Sequence, residues 1–258
     1  MSDITSRPGD LHRWDVTPSE ARAIQRELAA RVIRTDPLDF FPQFVAGIDI
    51  GFEQNGEITR AAVVVLDYNT LQPLECVIAR RATHFPYVPG LLSFRECPTA
   101  LDALAQLQIK PDVLLCDGMG IAHPRRLGIA SHLGLLTDTP SLGVGKSLLT
   151  GWHEEVPAKS GAWTPLFGKR EPDRSEIIGA MLRTRANCKP LIISLGHRLT
   201  LETSIALVLH CTTRYRIPET TRWADGIASR KAAFLRTLPV PLREAVQGVP
   251  QGEIPGPV

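Results

Sequence analysis

The order of strand and helix patterns along this 258-residue chain restricts it to few folds. Three strand patterns come first, joined by the turn-forming segments EQNGEI and NTLQP, and predict an antiparallel meander over 44–52, 59–68 and 75–85. Further strands are predicted at 112–118, 141–146 and 190–197. Helices are predicted around these strands, at 20–33, 93–107, 123–138, 201–215 and 218–234. This order predicts an α/β layered domain whose later strands are parallel.

The two ends of the chain differ in composition from the middle. Residues 1–15 are polar, and residues 238–258 are rich in proline and glycine, so both are predicted to be flexible tails. Residues 16–237 are predicted to form one domain, because no linker interrupts them. Within it, segment 151–176 is polar and turn-rich and is predicted to be an insertion or an irregular hairpin.

The sequence composition indicates where in the cell the protein is located, but it indicates little about what the protein binds. No apolar run approaches the roughly 20 residues that span a bilayer. The N-terminus lacks the charged and apolar regions of a secretory signal. The expected location is therefore the cytoplasm, with no membrane partner. Five cysteines without C-x-x-C spacing argue against a zinc site and a disulfide framework. A net charge of +2 indicates no particular partner.

Two aspartates at strand ends are the strongest chemical signal in the sequence. Asp49 lies inside the apolar run FVAGIDIGF, and Asp117 follows the apolar run VLLC. An ionised carboxylate in such surroundings is costly unless it is paired or bound to a cation. Carboxylates that leave neighbouring strands can converge on a hard cation such as Mg²⁺. The alternative is that each aspartate caps a loop, and the residues alone leave both interpretations open.

A third carboxylate, Glu96, lies near the start of the helix predicted at 93–107. There it can serve as a helix cap, because the dipole at a helix N-terminus favours negative charge. Alternatively, three carboxylates from separate elements suit hydrolysis of a phosphodiester by two divalent cations.

The tripeptide Gly145-Lys146-Ser147 resembles the end of a phosphate-binding P-loop. The P-loop motif needs a glycine five residues before Gly145, where this chain has Pro140, and the residues that follow form a poor helix. Nucleotide hydrolysis is therefore disfavoured. Lys146 can still act as a cation beside a phosphate, or it is a solvated loop lysine.

Five longer strings resemble the endonuclease V family, and they are VAGIDIGF, PYVPGLLSFRE, DGMGIAHPRRLGIASHLGLLTDTPSLGVGK, SLGHRLTLETSIAL and RIPETTRWAD. The resemblance extends over about residues 20–235, and its second and third strings are long and specific. It implies a ribonuclease H-like fold. That fold has a central mixed sheet, made of an antiparallel three-strand meander plus parallel strands, flanked by helices.

The resemblance also implies the chemistry of the site. Asp49, Glu96 and Asp117 are expected to be the catalytic, metal-binding carboxylates, with Asp49 and Asp117 as direct ligands and Glu96 acting closely or through water. Mg²⁺ is the implied cofactor, and Mn²⁺ is expected to substitute for it. The implied substrate is DNA with a deaminated base, chiefly hypoxanthine. The implied product is a strand cut at the second phosphodiester 3′ to the lesion, with a 3′-hydroxyl and a 5′-phosphate.

The remaining site residues are also implied by the resemblance. A wedge that replaces the stacking of an extruded base is assigned to Pro86, Tyr87, Val88 and Pro89. Backbone approach to the lesion is assigned to Gly90, Gly118 and Gly120. His123 and Arg125 are expected to face the scissile region, Lys146 to steady the phosphate, and His197 to lie near the metal. Met119 stands at a position where many relatives have a polar residue such as His or Asn. This difference concerns contacts to the lesion or the flanking strand, and therefore the range of lesions that is recognised.

Alternative functions stay open at this point. One is an endonuclease that prefers inosine in RNA, and another is a nucleic-acid-binding module without catalysis. Three retained carboxylates argue against the second alternative. No obligate protein partner is expected.

Overall fold

The computed structural model describes residues 11–37, 39–169, 176–229 and 232–247. One mixed sheet runs through this part of the chain, in the strand order β3-β2-β1-β4-β5-β9-β8-β7-β6. The strands are β1 (Phe44–Glu53), β2 (Ile58–Asp67), β3 (Pro73–Ala82), β4 (Val113–Cys116), β5 (Ser141–Gly145), β6 (Trp152–His153), β7 (Trp163–Phe167), β8 (Ile177–Leu182) and β9 (Leu191–His197).

Helices cover both faces of the sheet. They are α1 (Pro18–Ala29), α2 (Leu92–Leu104), α3 (Ile129–Thr137), α4 (Leu201–His210), α5 (Glu219–Ala228), α6 (Ala232–Thr237) and α7 (Val240–Gln247). Alternate residues of the central strands point to opposite faces. Ile48 and Val63 therefore pack with α2 and α3, whereas Val45 and Val64 pack with α4 and α5. The predicted α/β fold with a central mixed sheet is confirmed. Among these helices, none is long and apolar enough to cross a membrane.

The sheet begins as the sequence predicts. Strands β1, β2 and β3 form an antiparallel meander, and β4 and β5 then extend it in parallel with β1. The prediction is wrong for β9, which is antiparallel to β5. After β5 the chain continues to β6 at the edge of the sheet. From there β7, β8 and β9 follow as successive antiparallel neighbours, and β9 lies next to β5 without a helical crossover between parallel strands. A return of this kind reverses the strand direction.

Several elements differ in extent from the prediction. The helix expected at 123–138 is limited to α3, because residues before Ile129 form turns. The helix expected at 218–234 ends with α5 at Ala228. Segment 151–176, predicted to be an insertion or irregular hairpin, contributes β6 and β7, which pair as an antiparallel hairpin at the sheet edge. Residues 170–175 of that segment lie outside the described residues.

Both predicted tails are wrong over their inner parts. Trp14 and Leu11 pack against the core beneath α2 and α3. At the other end, Leu238 and Val246 are each 2% exposed, and α7 packs on the sheet near β3. Apolar side chains spaced along a helix supply this burial, and a high proline content nearby concealed the pattern. The outer parts of the predicted tails, 1–10 and 248–258, lie outside the described residues.

Gly47 brings helix α5 into direct contact with strand β1. A Cβ atom added at Gly47 would lie 2.0 Å from the carbonyl oxygen of Thr220. No side chain fits there, so the backbone of the helix start rests on the strand. The contact holds α5 beside the middle of β1, where Asp49 follows two residues later.

Candidate active site

The two strand-end aspartates lie side by side. Strands β1 and β4 are parallel, with Ile48 opposite Cys116, so the next residue on each strand is an aspartate. The backbone N–H of Asp117 donates to the carbonyl oxygen of Ile48 at 3.0 Å, which fixes this alignment. Asp49, inside β1, and Asp117, directly after β4, therefore lie next to each other.

Glu96 projects toward this pair from the first half of α2. Burial, followed by the negative charges of Asp49 and Asp117, raises the pKa of Glu96 to about 8. Burial and the charges of Asp117 and Asp225 likewise raise the pKa of Asp49 to about 6. Such mutual repulsion requires that the carboxylates share one region of the protein. The structure thus brings together the three acids that were singled out from the sequence.

Lys146 contributes a positive charge to the same region. It follows the last residue of β5, and its ammonium group forms an ion pair and hydrogen bond with the Asp117 carboxylate. Burial lowers the pKa of Lys146, but the bond to Asp117 outweighs this effect, and the pKa is raised. Lys146 thus lies at a strand end, and its expected role of steadying a phosphate stays a prediction.

Asp225, on α5, is a fourth acid that the sequence analysis did not single out. Its charge raises the pKa of Asp49 and also that of Lys146, so it faces both groups. The contact of α5 with Gly47 places it there. The only signal in the sequence was its position at the end of the string RIPETTRWAD, to which no role had been assigned.

The chemistry of this cluster suits a divalent cation. Several carboxylates with one nearby lysine leave excess negative charge in a partly buried place, and burial together with that charge raises the pKa values of Asp49 and Glu96. Among the described residues, no three carboxylate, imidazole or thiol groups are arranged so that they could hold a metal ion by themselves. An open site of that kind fits Mg²⁺, which keeps several waters and takes one or two protein carboxylates together with substrate oxygens.

A pocket of about 180 Å³ opens directly beside the acids. Glu96 and Asp117 form part of its wall. The rest of the lining comes from α1, the start of α2 and the loop before it, the start of α3 and the loop before it, and the segment after β5. These residues are Gln25, Gly90, Leu92, Ser93, Gly118, Met119, His123, Leu127, Gly128, Ile129 and Leu149. Its volume lies below that of pockets for drug-sized ligands, so it can hold only a smaller group.

The carbonyl oxygen of Gly90 ties the pocket wall together. It accepts hydrogen bonds from Gln25 Nε2 at 3.0 Å, from His123 Nε2 at 3.0 Å and from the Arg125 guanidinium at 2.6 Å. Gly90 has a φ of +77°, a left-handed conformation that favours glycine. The loop before α2 is therefore held to α1 and to the loop before α3.

His123 and Arg125 take part in this network. His123 is 4% exposed, and burial and the charge of Arg125 lower its pKa to about 4, so its ring is neutral. The Arg125 guanidinium bonds to Gln25 and Gly90. Both side chains therefore hold the pocket wall, and His123 also lines the pocket. Their expected position facing the scissile region stays a prediction.

The predicted wedge projects from the surface beside the pocket. Its base is anchored, because Phe85 is buried and Val88 packs against the same small cluster. Tyr87 is 68% exposed and stands clear of the core, and its neighbours Pro86 and Pro89 are exposed as well. An exposed aromatic ring on a loop stiffened by two prolines has the form of a stacking wedge.

The two glycines after Asp117 have different surroundings. Gly118 and Met119 line the pocket, as expected for residues near a lesion. Gly120 does not, because it is buried against β9, where an added Cβ would lie 1.7 Å from the Leu195 carbonyl oxygen. The role predicted for Gly120 is therefore corrected to close packing.

His197 is not part of the site. It pairs with Ser141 at the start of β5, whereas Lys146 follows the end of that strand. At about 3.3 Å per residue, the length of β5 separates the two positions by roughly 13 Å or more. His197 is 3% exposed, and its ring contacts the Asp138 carboxylate at 3.4 Å and the Ile33 N–H at 3.3 Å. The predicted position near the metal is wrong, because β9 runs in the opposite direction to the one expected.

Comparisons with known proteins agree on one family. The sequence profile named Endonuclease V matches residues 26–226. The endonuclease V of Nostoc sp. strain PCC 7120 is 56% identical over 220 residues, which are 85% of this chain and 97% of that protein. The crystal structure of endonuclease V from Streptomyces avermitilis is 43% identical, with a TM-score of 0.78, and the match covers 85% of this chain and 95% of that one.

A third match includes nucleic acid. The Ciona intestinalis endonuclease V, solved with a 24mer DNA that contains an inosine followed by a ribo-adenosine, is 28% identical to this chain. Its TM-score is 0.72, and the match covers 83% of this chain and 97% of that one.

Proposed function

The chain belongs to the endonuclease V family of nucleases, and on that premise we propose that it cuts DNA beside a deaminated base, chiefly hypoxanthine. The observation that supports this proposal is the adjacency of a small pocket and a cluster of acids, which share Glu96 and Asp117. A base held in the pocket would bring the strand that carries it to the carboxylates. The relative from Ciona intestinalis, solved with inosine-containing DNA, supports the same substrate class.

The cut is proposed at the second phosphodiester on the 3′ side of the lesion, leaving a 3′-hydroxyl and a 5′-phosphate. In this arrangement the pocket holds the extruded base while the acids act on a phosphate farther along the same strand. An enzyme that acts next to a damaged base gains selectivity from extrusion, because a mispaired base leaves the stack at lower cost.

A divalent cation, Mg²⁺ with Mn²⁺ as a substitute, is proposed to be held by Asp49 and Asp117, with Glu96 and Asp225 near it. Such a cation would neutralise the phosphate and make a bound water more acidic. Lys146 would steady the phosphate through its ammonium group, and its ion pair with the Asp117 carboxylate supports this role. Asp49 would accept hydrogen bonds from water, and its partial exposure supports this role.

The pocket would recognise the base largely through its backbone. Gly90 and Gly118 lie in its wall, and glycines allow the main chain to approach a ring closely. Deamination of adenine replaces an amino group by a carbonyl group, so N–H donors in the wall distinguish the two bases. Met119, in the same wall, would contact the base through its apolar side chain.

Replacing Tyr87 by alanine is expected to lower kcat/KM on an inosine-containing duplex about tenfold, since stacking on an aromatic ring contributes about 1–3 kcal/mol per base. Its high exposure means that folding should be unaffected. Single-turnover cleavage and thermal melting measure the two effects. Phe41→Ala, at an exposed aromatic residue away from the site, is the matched control and should cut normally. Equal losses in both variants would contradict the wedge assignment.

The proposed function is tested with a duplex that carries one inosine and a label on either strand. Cleavage is expected only in the inosine strand, only with Mg²⁺ or Mn²⁺, and one phosphodiester beyond the one next to the lesion. Ligation of the nick after purification would verify the 3′-hydroxyl and 5′-phosphate. A protein that cuts the matched adenosine duplex equally well, or that cuts in EDTA, would contradict the proposal.

Inosine in RNA is the second candidate substrate. The relative from Ciona intestinalis was solved with a ribonucleotide directly after the inosine. Parallel assays on inosine-containing DNA, RNA and a DNA strand with one ribonucleotide 3′ to the inosine would rank these substrates. A clear preference for RNA would replace DNA repair by RNA processing as the function.

A further inference from the structure

A chain of hydrogen bonds runs from the base pocket to a backbone carbonyl group. Ser93, on the pocket wall, contacts His132 Nδ1 through its Oγ at 3.0 Å. His132 Nε2 contacts His12 Nε2 at 2.8 Å. His12 Nδ1 contacts the carbonyl oxygen of Arg13 at 2.7 Å. We call this chain of Ser93, His132 and His12 the histidine relay.

The far end of the relay determines the direction of every bond in it. A carbonyl oxygen only accepts, so His12 Nδ1 must carry the proton. Burial lowers the pKa of His12 and of His132, so both rings are neutral, and each has one donor and one acceptor nitrogen. His12 Nε2 is then an acceptor, and His132 donates to it through Nε2. His132 Nδ1 is left as an acceptor, and the hydroxyl of Ser93 donates to it.

The packing around the relay keeps both rings in place. His132 is completely buried on α3, between Trp14, whose ring lies 5.6 Å away in a stacked arrangement, and Phe94 at 5.1 Å. Trp14 also contacts His12 edge-on at 4.5 Å. The rings therefore cannot turn to exchange their donor and acceptor nitrogens without displacing two large side chains.

The direction of the relay gives Ser93 a defined polarity. A hydroxyl group has one proton and two lone pairs, and here the proton is engaged by His132. Within the described part of the chain, Ser93 Oγ forms no other side-chain hydrogen bond. Toward a ligand in the pocket, this oxygen can only accept.

We propose that Ser93 is a specificity-determining residue that accepts a hydrogen bond from the N1–H of a 6-oxopurine in the pocket, with its polarity set by the histidine relay. The inference rests on the proposed function. Hypoxanthine carries a proton on N1, whereas adenine presents a bare lone pair there. An adenine in the same position would bring two acceptors together, and a site whose polar group is left unpaired rejects such a ligand.

The polarity is tested on the protein itself by ¹⁵N NMR of its histidine side chains, which distinguishes protonated from unprotonated ring nitrogens. The expected pattern at neutral pH has the proton on Nδ1 in His12 and on Nε2 in His132. If His132 instead carries its proton on Nδ1, His132 donates to Ser93 Oγ. The hydroxyl proton of Ser93 is then free to be donated to the base, and the inference is overturned. This result does not depend on any nuclease activity.

The role of Ser93 is tested by affinity, in an Asp49→Asn background that is expected to bind without cutting. Duplexes carry either hypoxanthine or unsubstituted purine, which lacks the N1 proton, at one position. Ser93→Ala should weaken binding of the hypoxanthine duplex about tenfold, the loss of one hydrogen bond, and that of the purine duplex less than about twofold. Ser93→Thr, which keeps the hydroxyl, should restore most of the loss.

Ser131→Ala is the matched control, because it removes a buried hydroxyl on the same helix as His132 but outside the pocket. It should affect both duplexes equally. Equal weakening of both duplexes by Ser93→Ala would show a merely structural role and overturn the inference. If Ser93→Ala weakens both duplexes equally but wild-type enzyme cuts inosine-containing duplexes, only the inference about Ser93 is wrong. If wild-type enzyme does not cut inosine-containing duplexes, the proposed function is wrong.

Discussion

Replacing Asp49 by asparagine is expected to lower the rate of Mg²⁺-dependent cleavage by about a thousandfold or more, which is the range for loss of a group that stabilises transition-state charge. Asparagine keeps the shape of the side chain and removes its charge. Asp49 lies in the region that the charges of Asp117, Glu96 and Asp225 share, so its loss weakens attraction for a cation. Affinity for an inosine-containing duplex should change by less than about threefold, because removing a negative charge does not weaken contacts to phosphates.

Single-turnover kinetics at saturating enzyme, together with fluorescence anisotropy, separate these two effects. Asp67→Asn is the matched control. Asp67 is likewise an aspartate of an apolar strand, but it ends β2 and its carboxylate accepts hydrogen bonds from the N–H and hydroxyl group of Thr70 in a turn. This control should cut at nearly the normal rate. An Asp49→Asn variant that retains a tenth of the normal rate would remove Asp49 from the catalytic group.

Replacing Glu96 by glutamine is expected to stabilise the cation-free protein at high pH and to leave its stability at low pH nearly unchanged. The pKa of Glu96 is raised from 4.5 to about 8 in the folded protein. Between those values the unfolded chain releases the proton while the folded protein retains it, so the free energy of unfolding falls as the pH rises. Above about pH 8 the loss is complete, and below about pH 4.5 it is absent. Its size is on the order of a few kcal/mol.

Urea unfolding in EDTA at about pH 5 and about pH 9 measures this difference. Wild type should lose stability between the two conditions, and Glu96→Gln should lose less. Asp49, whose pKa is raised to about 6, contributes a smaller loss at lower pH in both proteins. Glu57→Gln, at an exposed glutamate, is the control and should follow wild type. Identical pH profiles for wild type and Glu96→Gln would contradict the raised pKa.

The positions of Asp49 and Asp117 could be predicted because local patterns carry the necessary information. Asp49 lies inside an apolar run and Asp117 directly follows one, and the sequence analysis noted that carboxylates of neighbouring strands can converge. In the structure the two strands are parallel neighbours with Ile48 opposite Cys116, so an aspartate comes next on both. Lys146 was singled out by the tripeptide Gly145-Lys146-Ser147 at a predicted strand end, and that strand, β5, is the parallel neighbour of β4.

His197 and Asp225 show where such reasoning stops. The pattern of β9 indicates a buried strand but contains nothing about its direction, and the direction decides which edge His197 reaches. Asp225 lies on an amphipathic helix, where an aspartate looks like any solvated residue. Its approach to Asp49 depends on the contact between Thr220 and Gly47, which are 173 positions apart in the chain. Such tertiary contacts leave no local periodicity to detect.

The single carbonyl oxygen of Gly90 has a mechanical consequence. The segment that carries Tyr87 is fastened through this atom to Gln25 on α1 and to His123 and Arg125 before α3. In the proposed function, entry of Tyr87 into a duplex would therefore also load the pocket wall that surrounds the extruded base. Insertion of the aromatic ring and binding of the lesion would then occur as one step, and a duplex that resists insertion would not have its base bound.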